Sequence, residues 1–139
     1  MLIKPLVDTL KAQDYFKEIK FSKDIPTLDD FKKGEIALPV CYLLPVKDTG
    51  QGISTDARPK QAIGFQYSFC IITAAGDEDC EQEPPMTEAK EKMLEALLGF
   101  SITPQYTNMA FSMGQILDKN SKIEIWTLGY ETERTYRKQ

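Results

Sequence analysis

Apolar and polar positions follow two rhythms along this chain, and each change of rhythm marks an element. Leu2, Ile3, Leu6, Val7 and Leu10 recur at helical spacing, so residues 2–13 read as a short amphipathic helix. Pro5 falls in its first turn, where no backbone donor is lost. Phe16, Ile19 and Phe21 follow in a mixed segment compatible with a strand. Asp24-Ile25-Pro26-Thr27 reads as a turn, after which Leu28 and Phe31 can anchor one helical turn before Gly34. Residues 36–46 are apolar almost throughout and predict a strand. Pro39 and Pro45 cannot donate to a ladder, which places this strand near a sheet edge or breaks it at Pro39.

Residues 47–61 (KDTGQGISTDARPKQ) are polar and carry Gly50, Gly52 and Pro59, the composition of a long mobile loop. Residues 63–73 read as the clearest strand. Ile63, Phe65, Tyr67, Phe69 and Ile71 lie on one face, and Gly64, Gln66, Ser68 and Cys70 lie on the other. After the acidic, turn-rich stretch 76–85, Thr87 is a candidate helix cap with Glu88 in the first turn. Ala89, Met93, Ala96 and Leu97 form the buried stripe of that helix, flanked by Leu94 and Leu98, and Gly99 ends it. Residues 111–117 and 122–130 predict a hairpin around Asp118-Lys119-Asn120-Ser121. Its second strand has Ile123 and Ile125 on one face and Trp126, Leu128 and Tyr130 on the other. That pattern implies a central position or a face covered by a partner. The charged end, 131–139, can extend the strand outward. The element order predicts an α/β (α+β) fold: a mixed, mainly antiparallel sheet with helices packed on one face. No repeat or linker divides the chain, so residues 1–139 read as one domain.

Composition narrows the chemistry. The chain has no histidine, which removes histidine triads, a histidine general base and the usual Cys/His zinc sites. Cys41, Cys70 and Cys80 are an odd number at spacings that match no motif, as expected of reduced thiols rather than a disulfide framework. The acids around Cys80 oppose thiolate formation. The acidic run Asp77, Glu78, Asp79, Glu81 and Glu83 lacks the ligand spacing and turn glycine of a calcium loop; it reads as a solvated connector, or as a repulsive lining if DNA passes it. Gly50 and Gly52 have no Gly-Lys-Ser/Thr ending and run into Arg58-Pro59, unlike a phosphate loop. No carboxylates are spaced as a facing catalytic pair. Neither a catalytic residue, a metal nor a cofactor is therefore expected, and the chain reads as one that binds or assembles rather than catalyses. A net charge of −4 disfavours general nucleic-acid binding, although Lys119, Lys122, Arg134, Arg137 and Lys138 could form a local basic patch. No apolar run reaches the roughly 20 residues of a membrane span, and the start does not resemble a signal peptide, so a cytosolic site of synthesis with no membrane partner is expected.

Several short motifs fall in a recognisable order. An aromatic-rich strand (Gln61-Ala62-Ile63-Gly64-Phe65-Gln66-Tyr67) leads through the acidic loop to a helix ending Leu97-Leu98-Gly99-Phe100. Met109-Ala110-Phe111 with Gly114 follows, then Ile125-Trp126 leading into Tyr130-Glu131-Thr132. The chain thereby resembles the tail terminator (tail completion) proteins of long-tailed bacteriophages. Leu98-Gly99-Phe100 and Thr132-Glu133-Arg134 match that family's helix end and final strand, and Leu38-Pro39-Val40 matches its proline-bearing opening strand. The acidic 77–83 loop and the cysteines depart from the pattern.

The resemblance implies a structural virion protein, made in the bacterial cytoplasm and resident in the tail. Such a subunit forms a hexameric homo-oligomer ring on the last ring of tail tube protein. It ends tube polymerisation, presents the head–tail joining surface to connector proteins, and meets DNA only as it passes through the ring lumen. Gly50, Gly52, Ile53 and Arg58 in the loop, and Trp126, Leu128, Tyr130 and Arg134 on the last strand, are the candidate assembly interface. On that reading, a chain lacking residues 49–57 folds but fails to assemble on tubes. The alternative is a small cytosolic adaptor that binds peptides by strand addition at an exposed edge.

Overall fold

The computed structural model describes residues 2–23, 37–53, 59–77, 79 and 81–138. In chain order these form α1 (Lys4–Ala12), β1 (Glu18–Phe21), β2 (Val40–Leu43), β3 (Lys47–Gly50), β4 (Lys60–Ala74), α2 (Pro85–Leu97), β5 (Ala110–Lys119) and β6 (Ile123–Arg137). The six strands make one sheet in the order β1-β2-β4-β6-β5, with β3 beside β2 on the same flank of β4. Only the β1–β2 pair is parallel. The fold is α+β, a mixed and mostly antiparallel sheet, as the hydrophobic pattern predicts.

The sheet is organised by one long ladder. All fifteen residues of β4 pair with β6, from Lys60 opposite Arg137 to Ala74 opposite Ile123. The alternation read in residues 63–73 decides which face is buried. Phe65, Tyr67, Phe69 and Ile71 enter the main core with Cys41, Leu43, Leu128 and Tyr130. Both helices close this face. Leu6 and Leu10 of α1 and Met86, Ala89, Met93 and Leu97 of α2 are the buried positions, one helical turn apart. Gln13 ties the two helices together by donating from Nε2 to the Lys92 carbonyl at 2.8 Å. A smaller core of Val40, Leu44, Cys70, Ile72, Ile123 and Ile125 lies on the opposite face at one end of the sheet. The less apolar face of β4 is thus split. Cys70 and Ile72 are buried, whereas Gly64, Gln66 and Ser68 are half-exposed.

Three expectations need correction. Residues 47–61 are not one loop: Lys47–Gly50 is β3, paired with Ile63–Gln66, and Lys60 and Gln61 open β4. Alternating backbone pairing satisfies a polar, glycine-ended segment as well as an apolar one, so composition alone hid it. Residues 54–58 of that segment lie outside the described residues. Among the described residues of the apolar run 36–46 the strand is Val40–Leu43: it is broken at Pro39, one of the two alternatives expected, but is shorter than the run and lies between β1 and β4. Thr87 does not cap α2. Pro84 is the cap residue and Pro85 the first helical one, so Thr87 sits in the first turn, and no side chain caps the helix. The proposed helical turn at Leu28 and Phe31 lies outside the described residues.

Candidate functional site

The feature that sets this surface apart is β5. Among the described residues it is an edge strand, paired with β6 alone, and each of its ten residues is exposed. Apolar side chains stand out on it: Phe111 is 45 % exposed, Met113 38 %, Ile116 44 % and Leu117 37 %. No charge appears on β5 before Asp118 and no proline appears at all. Two register shifts, at Phe111/Met113 and Ile116/Asp118, bend the strand without shortening it. An open row of backbone donors and acceptors with apolar flanks is a template for another strand.

Beside β5, on the helix-bearing face, lies a groove of about 270 Å³ lined by Lys90, Leu94, Phe111, Gly114, Trp126, Leu128 and Tyr130. α2 and β6 build its walls. Gly114 keeps its floor open, because a Cβ there would come within 3.1 Å of the Leu128 side chain. Lys90 places its Nζ 3.2 Å from the centre of the Trp126 ring, a cation–π contact. The Trp126 indole donates to Glu124 Oε1 at 2.7 Å. Burial lowers the Lys90 ammonium from its ordinary pKa, and the Glu124 carboxylate opposes that shift. The groove can therefore receive an apolar or aromatic side chain beside a cationic lip.

A second hollow, of about 490 Å³, sits at the far end of the sheet between Thr49, Gln51, Gly64, Gln66, Asn108, Glu131 and Glu133. Its wall is tied by Gln51, which donates from Nε2 to Glu133 Oε2 at 3.1 Å. Among the described residues, no three Cys, Asp or Glu side chains converge in a way that could hold a metal ion. The thiols are also poorly placed for chemistry. Cys41 and Cys70 are buried and free, and burial drives both above the ordinary thiol range, Cys70 to about 12. Cys80 lies outside the described residues.

The candidate interface residues fall into two groups. Gly50 is in register with Ile63, which is in register with Arg134, so these three form one row across β3, β4 and β6. Gly52 and Ile53 follow β3 and are exposed, Ile53 at 63 %. Arg58 lies outside the described residues. Arg134 stacks its guanidinium 4.4 Å from the Tyr136 ring centre and 5.5 Å from that of Tyr106. Trp126 is near the opposite end of β6, about 27 Å from Arg134 along an extended strand. Leu128 and Tyr130 are buried in the main core, where Tyr130 packs edge-on against Phe69 and Phe111. Their side chains support the sheet and leave Trp126, half-buried at the groove, as the accessible member of that stripe.

Sequence reading identified the β5 strand but not its exposure. The available signal was a hairpin whose first strand is apolar at Phe111, Met113, Ile116 and Leu117 on alternating and adjacent positions, more than one buried face of a strand accommodates. Comparison with protein-family models and with curated proteins returned no match to this chain.

Proposed function

We propose that the chain is a ring-forming terminator subunit of a phage tail, which caps the tail tube, ends its polymerisation and offers the surface that joins the head. The observation that carries this reading is the β5 edge, exposed, partly apolar and, among the described residues, unpaired on its outer side, in a chain with terminator-like motifs at α2 and β6. Those motifs fall at structural junctions. Gly99 adopts φ +76° just past α2, and Thr132-Glu133-Arg134 lie in β6 beside the Thr107 turn. A ring subunit needs unlike surfaces that meet head to tail. The charged, four-residue β1 and β3 lie on the flank opposite the long, largely uncharged β5. The tube protein, the connector and the DNA passage enter as partners through the same reading.

The test is light scattering on the chain alone and with polymerising tube protein encoded in the same genome. Hexamers, or chains bound at the ends of tubes held short, are expected. A strict monomer that leaves tube growth unaltered refutes the proposal. The open β5 edge also favours a second reading, a peptide-binding adaptor that adds a strand at that edge. That reading expects a stable monomer whose β5 amides become protected by an added peptide.

A further inference from the structure

From the two unlike edges of the sheet, we propose that β5 of one copy pairs with β1 of the next, with Phe21 seated in the Lys90–Trp126 groove. This deepens the ring reading and rests on it for closure into a ring, though not for the contact itself. Strand polarity comes first. β1 runs parallel to β2, and β2–β4, β4–β6 and β6–β5 are each antiparallel, so β5 runs opposite to β1. Copies set side by side in one orientation therefore present antiparallel edges, and neither copy must be turned over to join their sheets.

The faces also agree. Ile19 and Phe21 pair with Cys41 and Leu43, whose side chains enter the main core, so both lie on the helix-bearing face. Phe21 is 52 % exposed there. On β5, Gly114 and Ile116 pair with Leu128 and Trp126, which places them on the same face. Setting Phe21 opposite Gly114 aligns the aromatic ring with the groove floor that lacks a side chain. It also sets Lys20 opposite Gln115 and Ile19 opposite Ile116, and brings Lys17 level with Asp118. Lys17 and Asp118 are exposed and opposite in charge. Two copies joined β5 to β5 would instead bring two empty grooves together, with no side chain to fill either.

The test uses the full chain in a Cys80→Ser background, which leaves the two buried thiols as the only other cysteines. Lys20→Cys and Gln115→Cys are made singly and together, and treated with a short bismaleimide at the highest attainable concentration. The expected result is a covalent dimer only when the two single variants are mixed, and a ladder from the double variant. Phe21→Ala, at an exposed position, is expected to weaken association by about tenfold or more while leaving the circular dichroism spectrum unchanged. Crosslinks from Gln115→Cys alone, or a monomer that never crosslinks, would overturn the contact. A ladder from a chain that does not cap tubes leaves the contact standing and removes the tail reading. Capping by rings in which this pair stays uncrosslinked removes the contact alone.

Discussion

Tyr67 and Tyr130 show how single side chains set the pH range of this fold. Both rings are buried, and burial raises both hydroxyls to about 12, with smaller contributions from Tyr106 at Tyr67 and from Cys41 at Tyr130. Tyr67 still finds a partner by donating to the Leu2 carbonyl at 3.1 Å, whereas the Tyr130 hydroxyl has none among the described residues. Cys41 and Cys70 are shifted upward by burial as well. For every one of these groups the folded pKa exceeds the unfolded one. Their contribution is therefore complete below the unfolded values, about 8.5 for a thiol and 10 for a tyrosine. It is lost as pH rises toward about 12, because the unfolded chain releases its protons first. Denaturant midpoints are expected to stay level up to about pH 8.5 and then to fall steeply above pH 10. Tyrosinate absorbance should rise together with unfolding; a midpoint that holds constant to pH 12 would contradict the buried placement of these rings.

Among the elements, the β5–β6 hairpin depends on one turn residue. Asn120 Oδ1 accepts from the backbone N–H groups of Lys122 and Ile123, both at 2.8 Å, and the Asn120 N–H donates to the Ile123 carbonyl at 3.0 Å. Asn120→Ala removes the side-chain acceptor from two turn donors and is expected to cost about 1–2 kcal/mol, measured by urea unfolding with an unchanged m-value. Elements of this kind were legible in advance wherever burial followed a period. β4 declared itself by the alternation from Ile63 to Phe69, α2 by its Ala89–Met93–Leu97 spacing and Gly99 stop, and the hairpin by its polar turn. Legibility failed where pairing, not side-chain burial, makes the element. β3 is exposed at all four residues and is a strand only because β4 lies beside it. The candidate interface was split in another way: of the two alternatives for the Trp126, Leu128 and Tyr130 stripe, a central position holds for Leu128 and Tyr130, which lie in the main core with the α2 residues, so they leave the interface. A deletion of 49–57 would accordingly remove half of β3, so it tests more than a loop.

At the scale of the whole molecule, stability and openness are distributed unevenly across one sheet. β4 lies in the interior, with β6 on one side and β2 and β3 on the other, and its fifteen-residue ladder to β6 is the longest in the fold. Among the described residues β5 has a single neighbour, and it is exposed along both faces. Such an asymmetry suits a subunit that must keep a rigid centre while leaving an edge free to gain a partner, since edge groups reach their final pairing only on assembly. Amide hydrogen exchange should resolve this directly. In the free chain, the slowest amides are expected in β4 and β6 between Phe65 and Leu128, and the β5 amides that point away from β6 should exchange as freely as those of a loop. On assembly, protection should appear in β5 and in β1 together, with little change in β4, because the centre of the sheet is already fully paired. Protection confined to β5 would mean an added strand from another protein, as in the adaptor reading. Protection at Thr49–Ile53 and Arg134 instead would move the contact to the opposite end of β6, where the row Gly50, Ile63 and Arg134 reaches the surface.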